Sequence, residues 1–233
     1  MDSLGPERIS ADIMLIADNL HAFIWKSNTV NNCNAYLLDG PTPILVDPGH
    51  AHLFDHVRLS MEKVNLALDD LGMMLCTHAH PDHIEAVEKH KPSTALFALH
   101  QADWQLVLSM EPQLLAMGLH LEGVTPDFFV TEGTLDIAGT ELHVFHTPGH
   151  SPGSVCYYWP RHKALITGDL IFKEGLGRTD LPGGSSAQLK TSILRMAELD
   201  LEWILPGHGE IIRGAADVRR NFEQLESFYF AYI

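Results

Sequence analysis

Thr77-His78-Ala79-His80-Pro81-Asp82-His83 follows directly on the apolar run Met73-Met74-Leu75-Cys76, which reads as a buried strand. A loop at the end of such a strand can aim several side chains into one pocket. Three imidazoles and a carboxylate between positions 78 and 83 are the nitrogen and oxygen donors that a divalent transition-metal ion takes. One histidine here would carry little weight, because most histidines are surface or packing residues. Four ligand-type side chains at this density are not explained by packing.

Three other stretches share this construction, an apolar strand, then Gly or Pro, then a ligand-type residue. Thr147-Pro148-Gly149-His150-Ser151-Pro152-Gly153 follows a strand ending at Phe145. Thr167-Gly168-Asp169 follows Ala164-Leu165-Ile166, and Leu205-Pro206-Gly207-His208-Gly209 follows Trp203-Ile204. Taken singly, each is only a turn signal. Together with the histidine loop they imply ligands converging along one edge of a sandwich.

The elements between these loops support that architecture. Strand-like runs at 13–16, 22–25, 34–38 and 44–46 are punctuated by Asp39-Gly40-Pro41 and Asp47-Pro48-Gly49, as in an antiparallel meander. A helical stretch is expected from Ala51 to Leu68, with Leu53, Phe54, Val57 and Met61 on one face. A short helix is expected over 84–89, a strand over 94–98, and a helix over 101–119 kinked or split by Pro112. A second strand series begins at Leu135 and takes in 141–145, 154–158 and 164–167; helices over 187–199 and 215–230 close the chain. Strands followed by a helix, twice over, predict an α/β (α+β) fold: an αββα sandwich of two mixed sheets flanked by helices. No Ser- or Gly-rich linker divides it, so residues 1–233 read as a single domain.

Composition narrows the function. The net charge of −15 comes without any Lys/Arg cluster, which argues against nucleic acid and against anionic membranes as partners. It does not exclude an anionic substrate, because bound cations override the global sign locally. Cys33, Cys76 and Cys156 are isolated in apolar runs and read as buried thiols of a reducing compartment. The first residues show neither a basic leader nor an apolar core, and no apolar run reaches membrane-spanning length. A cytoplasmic location is expected.

The four loops, in this order, resemble the metallo-β-lactamase superfamily over nearly the whole chain. The resemblance implies that His78, His80 and His150 hold one divalent metal ion, that Asp82, His83 and His208 hold a second, and that Asp169 bridges both. Zinc is the expected metal, with iron or manganese as alternatives. Asp47, in Val46-Asp47-Pro48-Gly49, matches a position where the family keeps an aspartate beside the metal loop, and is expected to orient ligand histidines. His50 and His52 are given no role, and His90, His100, His120, His143, His146 and His162 read as surface or packing residues.

Within the superfamily the stretches Gly168-Asp169-Leu170-Ile171-Phe172 and Gly175-Leu176-Gly177-Arg178-Thr179-Asp180 resemble glyoxalase II-like hydrolases. That implies cleavage of a small-molecule thioester such as S-lactoylglutathione by a hydroxide bridging the two metals, with Asp82 and Asp169 as catalytic residues. Two metal ions about 3.5–4 Å apart can bring the pKa of a shared water towards neutrality. Arg178 lies where glutathione-dependent members place a cation for the substrate carboxylate. Zinc β-lactamases use a cysteine or lack a carboxylate bridge near Asp169, which argues against antibiotic hydrolysis. The long enzymes' C-terminal helical domain has no counterpart in the two dozen or so residues after His208. Their tyrosines are replaced by Asp180 and Glu210. A mononuclear-iron persulfide dioxygenase and a lactonase of the same fold are the alternatives, and a homo-oligomer is left open.

Overall fold

The computed structural model describes residues 12–27, 29–92, 94–116 and 125–233. The expected meander is present: β1 (Asp12–Ala17), β2 (Leu20–Ile24), β3 (Ala35–Leu38) and β4 (Ile44–Val46) pair antiparallel in chain order. A 3-10 turn at Ala51–Leu53 and α1 (Asp55–Lys63) then carry the chain over to β5 (Met73–Leu75), which lies parallel to β4. The helix expected to reach Leu68 stops five residues sooner because Asn65, at φ 62°, turns the backbone out of it. α2 (Pro81–His90) leads to β6 (Leu96–His100), and α3 (Gln101–Ala116) leads towards β7 (Phe128–Val130), both strands parallel to their predecessor. α3 runs through Pro112 as one helix. Its expected end at Leu119, and His120, lie outside the described residues.

The second half repeats the plan. β8 (Gly133–Ile137), β9 (Thr140–His146), β10 (Val155–Trp159) and β11 (Ala164–Gly168) form antiparallel neighbours. After a hairpin of β12 (Ile171–Phe172) and β13 (Gly175–Leu176), α4 (Ser186–Met196) crosses to β14 (Trp203–Pro206), parallel to β11. β15 (Ile212–Arg213) pairs with β14, and α5 (Ala215–Gln224) continues into a π turn at Leu225–Tyr229. The result is a seven-stranded sheet in order β1 to β7 and a six-stranded sheet in order β15-β14-β11-β10-β9-β8. β7 precedes the expected start of the second strand series and belongs to the first sheet.

Strand periodicity explains the layering. Tyr36, Leu38, Ile44, Val46, Met73 and Leu75 meet Leu142, Val144, Val155, Tyr157 and Ile166 between the sheets. The alternate residues Ala35, Leu37, Leu45 and Met74 pack outward with Phe54, Val57 and Met61 of the first crossover, Ile84 and Val87 of α2, and Trp104 and Val107 of α3. On the other side Cys156, Leu165 and Ile204 pack against Leu189, Ile193 and Val218 of α4 and α5. This is the expected αββα sandwich. The three cysteines are buried and free. Among the described residues, no helix is long and apolar enough to cross a membrane.

Strand direction then positions the site. β4, β5, β9, β11 and β14 all end at the same rim, followed there by Asp47, His78, His150, Asp169 and His208 respectively. In parallel segments of an α/β sheet the carboxyl ends of strands are where ligands bind.

Candidate metal centre

Each ligand-type residue is held by its backbone before its side chain is considered. The Thr77 turn is tied to the opposite sheet by Val155 N donating to Thr77 O at 2.8 Å and Tyr157 Oη donating to Cys76 O at 2.9 Å. The Pro206-Gly207 turn is tied back by Tyr36 Oη and Asn34 Nδ2, which donate to Pro206 O at 2.7 and 3.0 Å. A Cβ at Gly207 would lie 2.4 Å from Asp169 Oδ1, so glycine here lets the turn close over the carboxylate. Asp82 and His83, expected in a loop, occupy the first turn of α2, which begins at Pro81 with His80 as its extended N-cap. Proline suits the first helical position and an aspartate suits the positive end of the helix dipole.

The side chains of His78, His80 and His150 bring one donor atom each within 4.8 Å of one another, as do those of Asp82, His83 and His208. Their rings pack edge to face: His78 to His80 at 4.7 Å, His78 to His150 at 4.8 Å, and His80 to His150 at 4.5 Å between centroids. Asp169 lies between the groups. Its Oδ1 is 3.3 Å from His83 Nε2 and 3.5 Å from His208 Nε2, while its Oδ2 is 3.5 Å from His150 Nε2. Donors sharing one four-coordinate zinc stand about 3.3 Å apart, so these separations fit ligands around a common ion better than direct hydrogen bonds.

Satisfaction of polar atoms makes the same test independently. His78 Nε2, His83 Nε2, His150 Nε2 and Asp169 Oδ1 are buried with no hydrogen-bond partner. Buried polar groups are ordinarily paired, and four unpaired donor atoms gathered at one rim fit the residues of a metal centre. Burial, then the neighbouring imidazoles, hold His78 well below the ordinary histidine pKa and push His80 down to about 4. Neutral imidazole is the form that ligates. Burial alone would raise the Asp82 carboxyl, but its hydrogen bond from His208 and the nearby His83 outweigh that and keep it ionised.

Asp47 lies beneath the Thr77 turn. Fully buried, it accepts from Thr77 N at 2.7 Å and Thr77 Oγ1 at 2.8 Å, and its Oδ2 faces His83 Nδ1 at 3.0 Å. This leaves His83 Nε2 for Asp169 and a metal. Its backbone φ of 56° is a conformation that Asp and Asn tolerate. Asp47→Asn therefore keeps the turn and removes the carboxylate charge. The expected result is a roughly 10–100-fold loss of zinc affinity at the Asp82/His83/His208 group, measured by chelator competition.

Two residues escaped the sequence reading. Asp103, in the first turn of α3, is fully buried and accepts from Ala79 N at 2.7 Å, Ser151 Oγ at 2.8 Å and Gly153 N at 2.5 Å. It thereby joins the loop of His78 and His80 to the turn of His150. Asn31 Nδ2 donates to Asp82 Oδ2 at 2.7 Å, the oxygen that also faces His208 Nε2 at 3.3 Å. An aspartate in a first helical turn and an asparagine in a polar loop are both common, so neither stands out in the sequence. Arg178 is placed differently from its expected role. Its guanidinium is exposed and donates to both oxygens of Asp180, at 2.7 and 2.6 Å, while its backbone carbonyl accepts from His150 Nδ1 at 2.7 Å.

Of the histidines read as packing residues, His146 stacks on His100 at 4.3 Å, His90 on Phe54 at 4.2 Å, and His162 meets Trp159 edge-on at 4.6 Å. The centre itself is open on one side: the side chains of His208 and Asp82 are 28% and 14% exposed. A groove of about 1710 Å³ begins there and runs past Asn31, Trp25 and Trp203 to Arg213.

The model of the metallo-β-lactamase superfamily matches residues 28–208 of this sequence. The chain belongs to that superfamily. Metallo-β-lactamase relatives include the probable metallo-hydrolase YqgX of Bacillus subtilis, 35% identical over 79% of this chain and 90% of its own length. The hydroxyacylglutathione hydrolase GloC of Haemophilus influenzae is 30% identical over 82% of this chain and 91% of its own. Among solved structures, TTHA1623 in a di-iron-bound form superposes with a TM-score of 0.66 at 32% identity, covering 81% of this chain and 93% of that one. The B3 metallo-β-lactamase BLEG-1 does so at 0.68 and 30%, covering 79% and 90%.

Proposed function

We propose that this metallo-β-lactamase-fold protein is a metal-dependent hydrolase of small-molecule thioesters, S-lactoylglutathione among them. The observation that carries the reading is Asp169, with one carboxylate oxygen turned to each histidine group. His78, His80 and His150 would hold one ion and Asp82, His83 and His208 the other. A metal pair supplies a water acidic enough to act near neutral pH and a positive charge for the carbonyl oxygen. The resemblance to GloC supports a thioester as substrate.

The chain's own groups have definite tasks in such a reaction. Asp82 uses Oδ2 for Asn31 and His208, so Oδ1 is the oxygen that can orient an attacking water. Asp47 and the Arg178 carbonyl fix the ring orientations of His83 and His150 through their Nδ1 atoms. A departing thiolate needs little protonation, so no separate acid is required. Substrate reaches the centre from the His208 side, along the groove by Trp25 and Trp203.

Because the Arg178 guanidinium is solvent-exposed and paired with Asp180, Arg178→Ala is expected to change KM for S-lactoylglutathione by less than about threefold. A tenfold rise with unchanged kcat would restore it as the carboxylate anchor. The function itself is tested by assaying thioesters, lactones and a β-lactam with the zinc, iron and manganese forms. Thioester turnover well above the other substrates supports the proposal. Oxygen uptake with glutathione persulfide by a protein holding one iron, without thioester hydrolysis, overturns it in favour of a persulfide dioxygenase.

A further inference from the structure

A second group of ligand-type side chains converges outside the centre built on Asp169. His50, His52 and Glu85 each place a donor atom within 4.8 Å of the other two. We propose that these three residues hold a further divalent transition-metal ion.

The backbone holds the three donors together. His50 and His52 flank the start of the 3-10 turn after Asp47-Pro48-Gly49, and Glu85 projects from α2. That turn is stapled to α2: Gly49 N donates to His83 O at 3.2 Å, and Ala86 N donates to Gly49 O at 2.8 Å. His50 N is fixed by Asn32 Oδ1 at 2.9 Å. At the far end His90 reaches Ala51 O with Nε2 at 3.1 Å while its ring stacks on Phe54. Donors already gathered by the fold lose little further freedom on taking a ligand.

The chemistry is selective. Two imidazoles and one carboxylate suit zinc, nickel, cobalt or copper, whereas magnesium and calcium take oxygen donors. His50 and Glu85 have side chains only 18% and 12% exposed, and His52 is exposed. Three protein ligands on a solvent-facing rim leave a coordination position for water. An ion pair alone would account for His50 Nδ1 and Glu85 Oε2 at 2.6 Å. It does not account for His52, whose ring lies 5.2 Å from that of His50. Donors on one zinc stand about 3.3 Å apart, so parting the His50–Glu85 pair by less than about 1 Å makes room. An ion here braces the segment that presents Asp47 against the helix that presents Asp82 and His83.

The test is equilibrium dialysis of the holoenzyme against zinc, with wild-type, His52→Ala, Glu85→Gln and Asp169→Ala proteins compared. The wild type is expected to bind one equivalent beyond those of the Asp169 centre. His52→Ala and Glu85→Gln should each weaken that equivalent at least roughly tenfold, since even the outer partners of a metal ligand are worth that much. Asp169→Ala should keep it while losing one or both of the others, which separates failure of this proposal from failure of the binuclear reading. No additional equivalent in the wild type, or one of unchanged affinity in both His52→Ala and Glu85→Gln, overturns it.

Discussion

Asp169→Ala is expected to lower turnover by at least about 1000-fold and to reduce the metal held by the two groups it lies between from two equivalents to one or none. Outer partners of a metal ligand alone are worth roughly 10–100-fold, and Asp169 reaches both groups directly. Its oxygens are 3.3 Å from His83 Nε2 and 3.5 Å from both His150 Nε2 and His208 Nε2. Alanine takes away the single anion placed between five histidines and Asp82. The fold should survive, because Asp169 Oδ1 has no hydrogen-bond partner to lose. Metal analysis, kcat and thermal unfolding of the apoprotein check the three parts together. Full turnover with two equivalents retained would remove the bridging role.

Asp103→Ala should have the second-largest effect, although this side chain is given no place among the metal ligands. Its carboxylate accepts from Ala79 N, Ser151 Oγ and Gly153 N. Burial pushes its pKa up, and the same hydrogen bonds work against that rise. Deleting it strands two backbone donors in a buried site, at about 1–3 kcal/mol each. Ser151 Oγ keeps Ser154 Oγ, 2.6 Å away. A loss of roughly 2–6 kcal/mol is therefore expected, together with uncoupling of the loop bearing His78 and His80 from the turn bearing His150. Metal should be lost preferentially from that group, leaving about one equivalent on Asp82, His83 and His208. Denaturant unfolding and metal content measure the two effects separately. Normal stability with both equivalents bound would contradict the clamp.

Much of the candidate centre is legible in the sequence because its ligand-type residues sit in short, chemically dense loops. The His78–His83 segment declares itself through composition alone, and each later turn follows a strand whose apolar run is clear. The layers followed from period-two burial in runs such as Ala35–Leu38. Other parts were hidden for physical reasons. β7, β12, β13 and β15 have only two or three residues each, too few to establish a period. The helix expected over 51–68 ends at Lys63 because Asn65 adopts a left-handed backbone, which any asparagine is free to do or not. Asp103 contributes through contacts with residues 24 to 50 positions away, and no local pattern encodes such a distance. Arg178 illustrates the reverse case. A motif drew attention to its guanidinium, yet the atom that touches the site is its carbonyl oxygen, which every residue possesses.

The binuclear centre is tested most directly by an anomalous difference map from crystals of the protein as purified, recorded on either side of the zinc and iron edges. Two peaks flanking Asp169 are expected, one among His78, His80 and His150 and one among Asp82, His83 and His208. A single ion beside Asp169, with His208 and Asp82 making no contact to it, would contradict a binuclear centre.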